Sequence, residues 1–66
     1  MNDNAIGKNI KRLRIEQGWT QEELAFRLGT SQPKISDLEA GQHNPRMDTL
    51  RKLAEVFGVD AGSLLQ

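Results

Sequence analysis

Between Gly29 and Gly41 the chain places Ser31, Gln32, Lys34, Ser36 and Asp37, interleaved with Pro33, Ile35 and Leu38. These side chains can do one kind of chemistry. A glutamine amide offers a donor and an acceptor side by side, a serine hydroxyl offers both, a lysine brings a point charge, and a carboxylate accepts only. Such groups recognise a partner by hydrogen bonding. Bond-making needs more: a nucleophile next to a base, or ligands around a metal. His43 is the only histidine and there is no cysteine, so the chain can build neither a metal site nor a triad around it. The adjacent carboxylates Glu22 and Glu23 suit the positive end of a helix better than an acid/base pair. The inventory argues against an enzyme, and no cofactor or metal is expected.

The elements that must hold these groups follow from the apolar spacing. Ile6, Ile10, Leu13; Leu24, Ala25, Leu28; Ile35, Leu38; and Leu50, Leu53, Ala54, Phe57 each recur at helical steps, and no stretch alternates strictly. Breaks at Gly18, Gly29, Gly41, Pro45 and Gly58 divide the chain into five short helices. The expected fold class is all-α, a compact five-helix array. The first helix is predicted from Ala5 to Gln17, with Gly18 as its stop. Thr20 and Glu23 form a capping box for a second helix, Gln21 to Leu28, and Trp19 with Leu24 form a hydrophobic staple at its start. A third helix takes Ser31 as N-cap, tolerates Pro33 in its first turn and runs to Ala40. A fourth runs from about Met47 to Phe57. Asp60 caps a last turn over Ala61 to Leu65, weakened by Gly62. Val59, Leu64 and Leu65 are either core for that turn or a dimer seam.

The length, 66 residues, bounds the chain at one domain, taken as residues 1–66, with marginal stability. The absence of cysteine fits a reducing compartment. No apolar run approaches the roughly 20 residues that span a bilayer, and the polar start Met1-Asn-Asp-Asn4 is unlike a signal peptide. A soluble, cytoplasmic protein with no membrane partner is expected. Net charge is zero, yet residues 1–36 carry six cations and four acids, and residues 37–66 three cations and five acids. A neutral chain so divided can still present a basic face.

Two short helices joined at Gly29 make the key arrangement. Gly29 supplies the positive φ that a tight turn needs, and Ala25 lets the second helix approach the third closely. With Leu24, Leu28, Ile35 and Leu38 turned inward, the third helix keeps a polar outer face of Gln32, Lys34, Ser36 and Asp37. A helix of that kind fits the DNA major groove with its N-terminal residues at the base edges.

The motifs Ile10-Lys-Arg-Leu-Arg14, Gly18-Trp-Thr-Gln-Glu-Glu-Leu-Ala25, Gly29-Thr-Ser31, Ile35-Ser-Asp-Leu-Glu-Ala-Gly41, Pro45, Leu50-Arg-Lys-Leu-Ala54 and Phe57-Gly-Val-Asp60 stand in order at matching spacing. With them the chain resembles the phage Cro/repressor-like domains, the XRE family, over nearly its whole length. The resemblance implies a helix-turn-helix over residues 21–40 and a sequence-specific DNA-binding regulator, a repressor on a near-palindromic operator. It implies double-stranded DNA as partner and a homodimer, at least on DNA.

Roles follow position by position from the same resemblance. Gln21 clamps a phosphate beside the free N–H groups of its helix end. Ser31, Gln32 and Lys34 lie near phosphates and bases, with Gln32 suited to adenine N6 and N7. Pro33 offers only apolar contact, to a thymine methyl for example. Ser36 and Asp37 follow along the helix, and Asp37 suits cytosine N4. His43, Asn44 and Arg46 grip the backbone on the far side. Arg14 and Glu39 form a structural ion pair joining the first and third helices. Two alternatives stay open: an antitoxin that represses its own operon and binds a toxin, and a protein-interaction module on the same scaffold. A protein partner, toxin or polymerase, would need a further surface that could include Phe26.

Overall fold

A computed structural model of the chain describes residues 5–42 and 44–65. Among them are five helices and no strand: α1 (Ala5–Glu16), α2 (Gln21–Leu28), α3 (Gln32–Ala40), α4 (Met47–Phe57) and α5 (Gly62–Leu65). None is long and apolar enough to cross a membrane. The expected all-α, five-helix class is the observed one.

The helices end where the sequence changes its backbone preference. Gly29 sits at φ 83° and ψ 35°, and its N–H reaches back to the carbonyls of Ala25 and Phe26. A side chain at that angle is strained, because Cβ crowds the following carbonyl, so glycine is the low-energy way to stop α2 and turn at once into α3. Gly41 and Gly58 close α3 and α4 in the same left-handed conformation.

One apolar stripe from each helix meets in the centre. Ile10 and Leu13 of α1, Leu24, Ala25 and Leu28 of α2, Ile35 and Leu38 of α3, Leu50, Leu53, Ala54 and Phe57 of α4, and Leu64 of α5 are all buried. These are the i, i+3, i+4 and i+7 positions of the sequence pattern. Each large aliphatic among them contributes about 1.5–3 kcal/mol on leaving water, which sustains a chain with no disulfide. α3 packs on both α1 and α2, α4 packs on α2, and α5 packs on α1 and α4. Asn9 adds a polar tie, its Nδ2 donating to the Leu64 carbonyl at 2.9 Å. Leu64 is therefore core, whereas Leu65 is exposed.

Local details depart from the sequence expectations. The Thr20 hydroxyl accepts from the Glu23 N–H at 3.0 Å, which is one half of a capping box. The Glu23 carboxylate does not return the bond; it pairs with Arg27 at 2.9 Å, one turn onward. Trp19 packs against the core, and its ring stacks on Phe57 of α4, centroids 5.8 Å apart. The Arg27 guanidinium lies 4.3 Å from the Trp19 ring centroid. Ser31 is the N-cap of α3 by conformation, but its hydroxyl makes no capping bond. At the start of α5 the group that accepts is the Asp60 backbone carbonyl, from Ser63 N–H at 3.0 Å.

Candidate nucleic-acid interface

The face expected to work is set by how α3 buries itself. Ile35 and Leu38 go fully inward against α1 and α2. The helical period then turns Gln32, Pro33, Lys34 and Asp37 outward, with Ser36 half-buried at the edge. Ser31, just before the helix, is exposed with a hydroxyl not engaged in capping.

A hydrogen-bonded network runs beneath this face. Its anchor is Glu39, whose side chain is 5% exposed and faces Arg14, itself 12% exposed. Arg14 Nε donates to Glu39 Oε2 at 2.6 Å and Nη2 to Oε1 at 3.1 Å, a two-pronged contact. Arg14 Nη1 donates to the Trp19 carbonyl at 2.8 Å, so the same guanidinium fixes the turn before α2. Gln21 Nε2 donates to Glu39 Oε1 at 3.0 Å. Gln32 Nε2 then donates to Gln21 Oε1 at 2.6 Å. An unbroken series thus leads from a part-buried ion pair to the exposed tip of α3. Among the described residues no buried side-chain polar atom lacks a partner.

Hydrogen-bond capacity decides what Gln32 can still do. Its amide has two N–H donors and one acceptor oxygen. One N–H is spent on Gln21. The other, with Oε1, remains as the donor–acceptor pair that matches adenine N7 and N6. Gln21 likewise keeps one N–H after serving Glu39.

A second grouping lies between α3 and α4. Lys34, Asn44, Arg46 and Thr49 line a groove with Leu38, Pro45 and Asp48. It adjoins a depression lined by Thr30, Lys34, Thr49 and Lys52 over Leu28 and Leu38. Cations from α3, from the α3–α4 connection and from α4 therefore share one surface. Lys52, Thr30 and Thr49 are not among the DNA-contacting candidates of the sequence. Their only signal is that Thr49 and Lys52 are three apart on one helix, which could not say that the face abuts Lys34.

Of the sequence candidates, Gln21 and Gln32 are joined directly, and Lys34, Asn44 and Arg46 share the groove. Ser31, Pro33 and Asp37 occupy the exposed side of α3 or its approach. His43 lies outside the described residues. Phe26 on α2 is 83% exposed and takes no part in the core.

Known proteins place this geometry. The model of a family described as helix-turn-helix matches residues 10–64. An HTH-type transcriptional regulator of Sinorhizobium fredii is 50% identical over 54 residues, 82% of this chain and 70% of that protein. The immunity repressor protein of Bacillus phage phi105 is 30% identical over 60 residues, 91% of this chain. The chain spans only 42% of that repressor's length. The crystal structure of a hypothetical transcription factor from Neisseria superposes with a TM-score of 0.90 at 31% identity, covering 97% of this chain and 74% of that one. α2 and α3, joined at Gly29, form a helix-turn-helix whose second helix carries a polar outer face, in agreement with these matches. The chain belongs to the XRE family of helix-turn-helix DNA-binding transcriptional regulators.

Proposed function

We propose that this chain is a repressor domain that reads a near-palindromic operator through α3 and does so as a homodimer. The observation that carries the reading is the 2.6 Å bond from Gln32 to Gln21, which holds an exposed base-reading amide at the start of α3. A side chain already ordered loses less entropy when it pairs with a base. Gln21, at the first residue of α2, takes a phosphate with its remaining N–H and the free backbone N–H groups around it. Lys34, Asn44, Arg46 and His43 take phosphates on the far side, and Ser31, Pro33, Ser36 and Asp37 complete the reading surface. Two copies set α3 into successive major grooves about 34 Å apart. Occupancy of such a site in the cytoplasm excludes polymerase.

The exposed Phe26 favours a second reading, in which the same protein also holds a protein partner, as an antitoxin would.

Selection of duplexes from a random pool, followed by titration at several salt concentrations, tests the proposal. The expected result is a site with two related half-sites and an affinity that falls steeply with salt, by about 0.9 in log K per phosphate neutralised for each log unit of salt. No enriched sequence, or binding insensitive to salt, would sink it. A site with no internal symmetry would remove the homodimer alone.

A further inference from the structure

Gly7 is buried in α1, opposite the C-terminal turn of α3. A Cβ placed on it would stand 2.5 Å from the Leu38 carbonyl oxygen and 2.8 Å from the Glu39 carbonyl oxygen. Both distances fall below any that a real Cβ tolerates, and both obstacles are backbone, which cannot swing aside as a side-chain tip can. Glycine at this position therefore lets α1 and α3 approach backbone to backbone. It does not serve a special dihedral, since its φ is not among the positive ones.

The residue touched is what gives this meaning. Glu39 holds both Arg14 and Gln21, and Gln21 holds Gln32. A shift at the Glu39 backbone moves the carboxylate against two partners fixed on other elements. Hydrogen bonds of 2.6–3.1 Å have little slack. We infer that Gly7 is a positioning residue for DNA recognition: it sets the depth at which α3 seats on α1, and through Glu39 and Gln21 the placement of Gln32. The inference rests on the DNA-reading role proposed above for α3.

Gly62 supplies the control. A Cβ there meets nothing within 4 Å, so Gly62→Ala adds the same methyl group in open space. Leu64→Ala supplies another, because Leu64 is fully buried in α5, which packs on α1 and α4 rather than on α3. The test measures affinity for the duplex selected by the unaltered chain and for an unrelated duplex, at a temperature where circular dichroism reports full helicity. Gly62→Ala alone should keep the preference for the selected duplex, whereas Gly7→Ala, alone and combined with Gly62→Ala, is expected to lower it roughly tenfold or more, as loss of a good base contact does. Unrelated-duplex affinity should change little. Leu64→Ala should lower the melting temperature and keep the preference. An unchanged preference in Gly7→Ala, or an equal loss in Leu64→Ala, overturns the assignment. So does failure of the Gly7→Ala/Gly62→Ala chain to fold, which would make Gly7 a folding requirement only. If the unaltered chain itself prefers no duplex, it is the DNA-reading proposal that has failed.

Discussion

Gln32 and Gln21, the first residues of α3 and α2, are joined side chain to side chain at 2.6 Å. The bond links the N-terminal ends of the two helices of the helix-turn-helix. It also couples two tasks, because a group suited to a phosphate orients a group suited to a base. Glu39 holds Gln21 from behind and is itself held by Arg14.

Arg14→Met should destabilise the chain by about 3–5 kcal/mol, since it strands the nearly buried Glu39 carboxylate. A chain this size has on the order of 3–10 kcal/mol in all, so the variant should lose a large share of its stability, read as a clearly lower midpoint in urea titration. Arg14→Met/Glu39→Leu removes both charges and should regain much of the loss. A single variant that melts with the unaltered chain would show that the pair does not support the fold.

Much of this was legible beforehand, for identifiable reasons. Helix number and ends follow from glycines and a 3.6-residue apolar period, which are local properties. The inward set at Leu24, Leu28, Ile35 and Leu38 follows from the same period. What could not be read depends on distances between helices. Nothing in the sequence says that Gln21 and Gln32 touch, that Trp19 stacks on Phe57 rather than serving only its own helix, or that Gly7 meets the Leu38 carbonyl. The capping box misled in half because Glu23 has two suitors, and a guanidinium one turn away also stacks on Trp19.

Gln32→Ala should relax base preference at one position by about 1–3 kcal/mol while non-specific binding changes less. With the phosphate role proposed for Gln21, Gln21→Ala should weaken all duplexes and also relax that same position, because Gln32 loses its support. The two changes should therefore be non-additive, with a coupling of at least about 0.5 kcal/mol in a double-mutant cycle. Strict additivity in competitive binding would mean that the amide–amide bond does not matter on DNA.

Trp19 ties α2 to α4, and its partners should rank by burial. Phe57→Ala removes a buried ring and should cost about 3–5 kcal/mol. Arg27→Ala loses a half-exposed contact to the ring and a surface pair with Glu23, together on the order of 1 kcal/mol. Tryptophan fluorescence during denaturant unfolding reports both, as Trp19 is the only tryptophan. An Arg27→Ala effect as large as that of Phe57→Ala would show that the cation, not the ring stack, holds the joint.

Pro33 offers the cleanest separation of reading from folding. It stands exposed in the first turn of α3, where its missing N–H costs the helix little. Replacing it leaves the buried positions Ile35 and Leu38 and the Gln21–Gln32 bond untouched. Pro33→Gln should thus alter stability by well under 1 kcal/mol, within the range of ordinary surface changes. Its new amide would stand next to Gln32 on the exposed side of α3 and gain a donor and an acceptor where the proline side chain had neither. Selection from a random pool should then return a site changed at a base pair adjacent to the one read by Gln32, with the rest of each half-site kept. If the selected site is identical for both chains, position 33 does not face the bases. α3 would then sit on DNA turned about its axis.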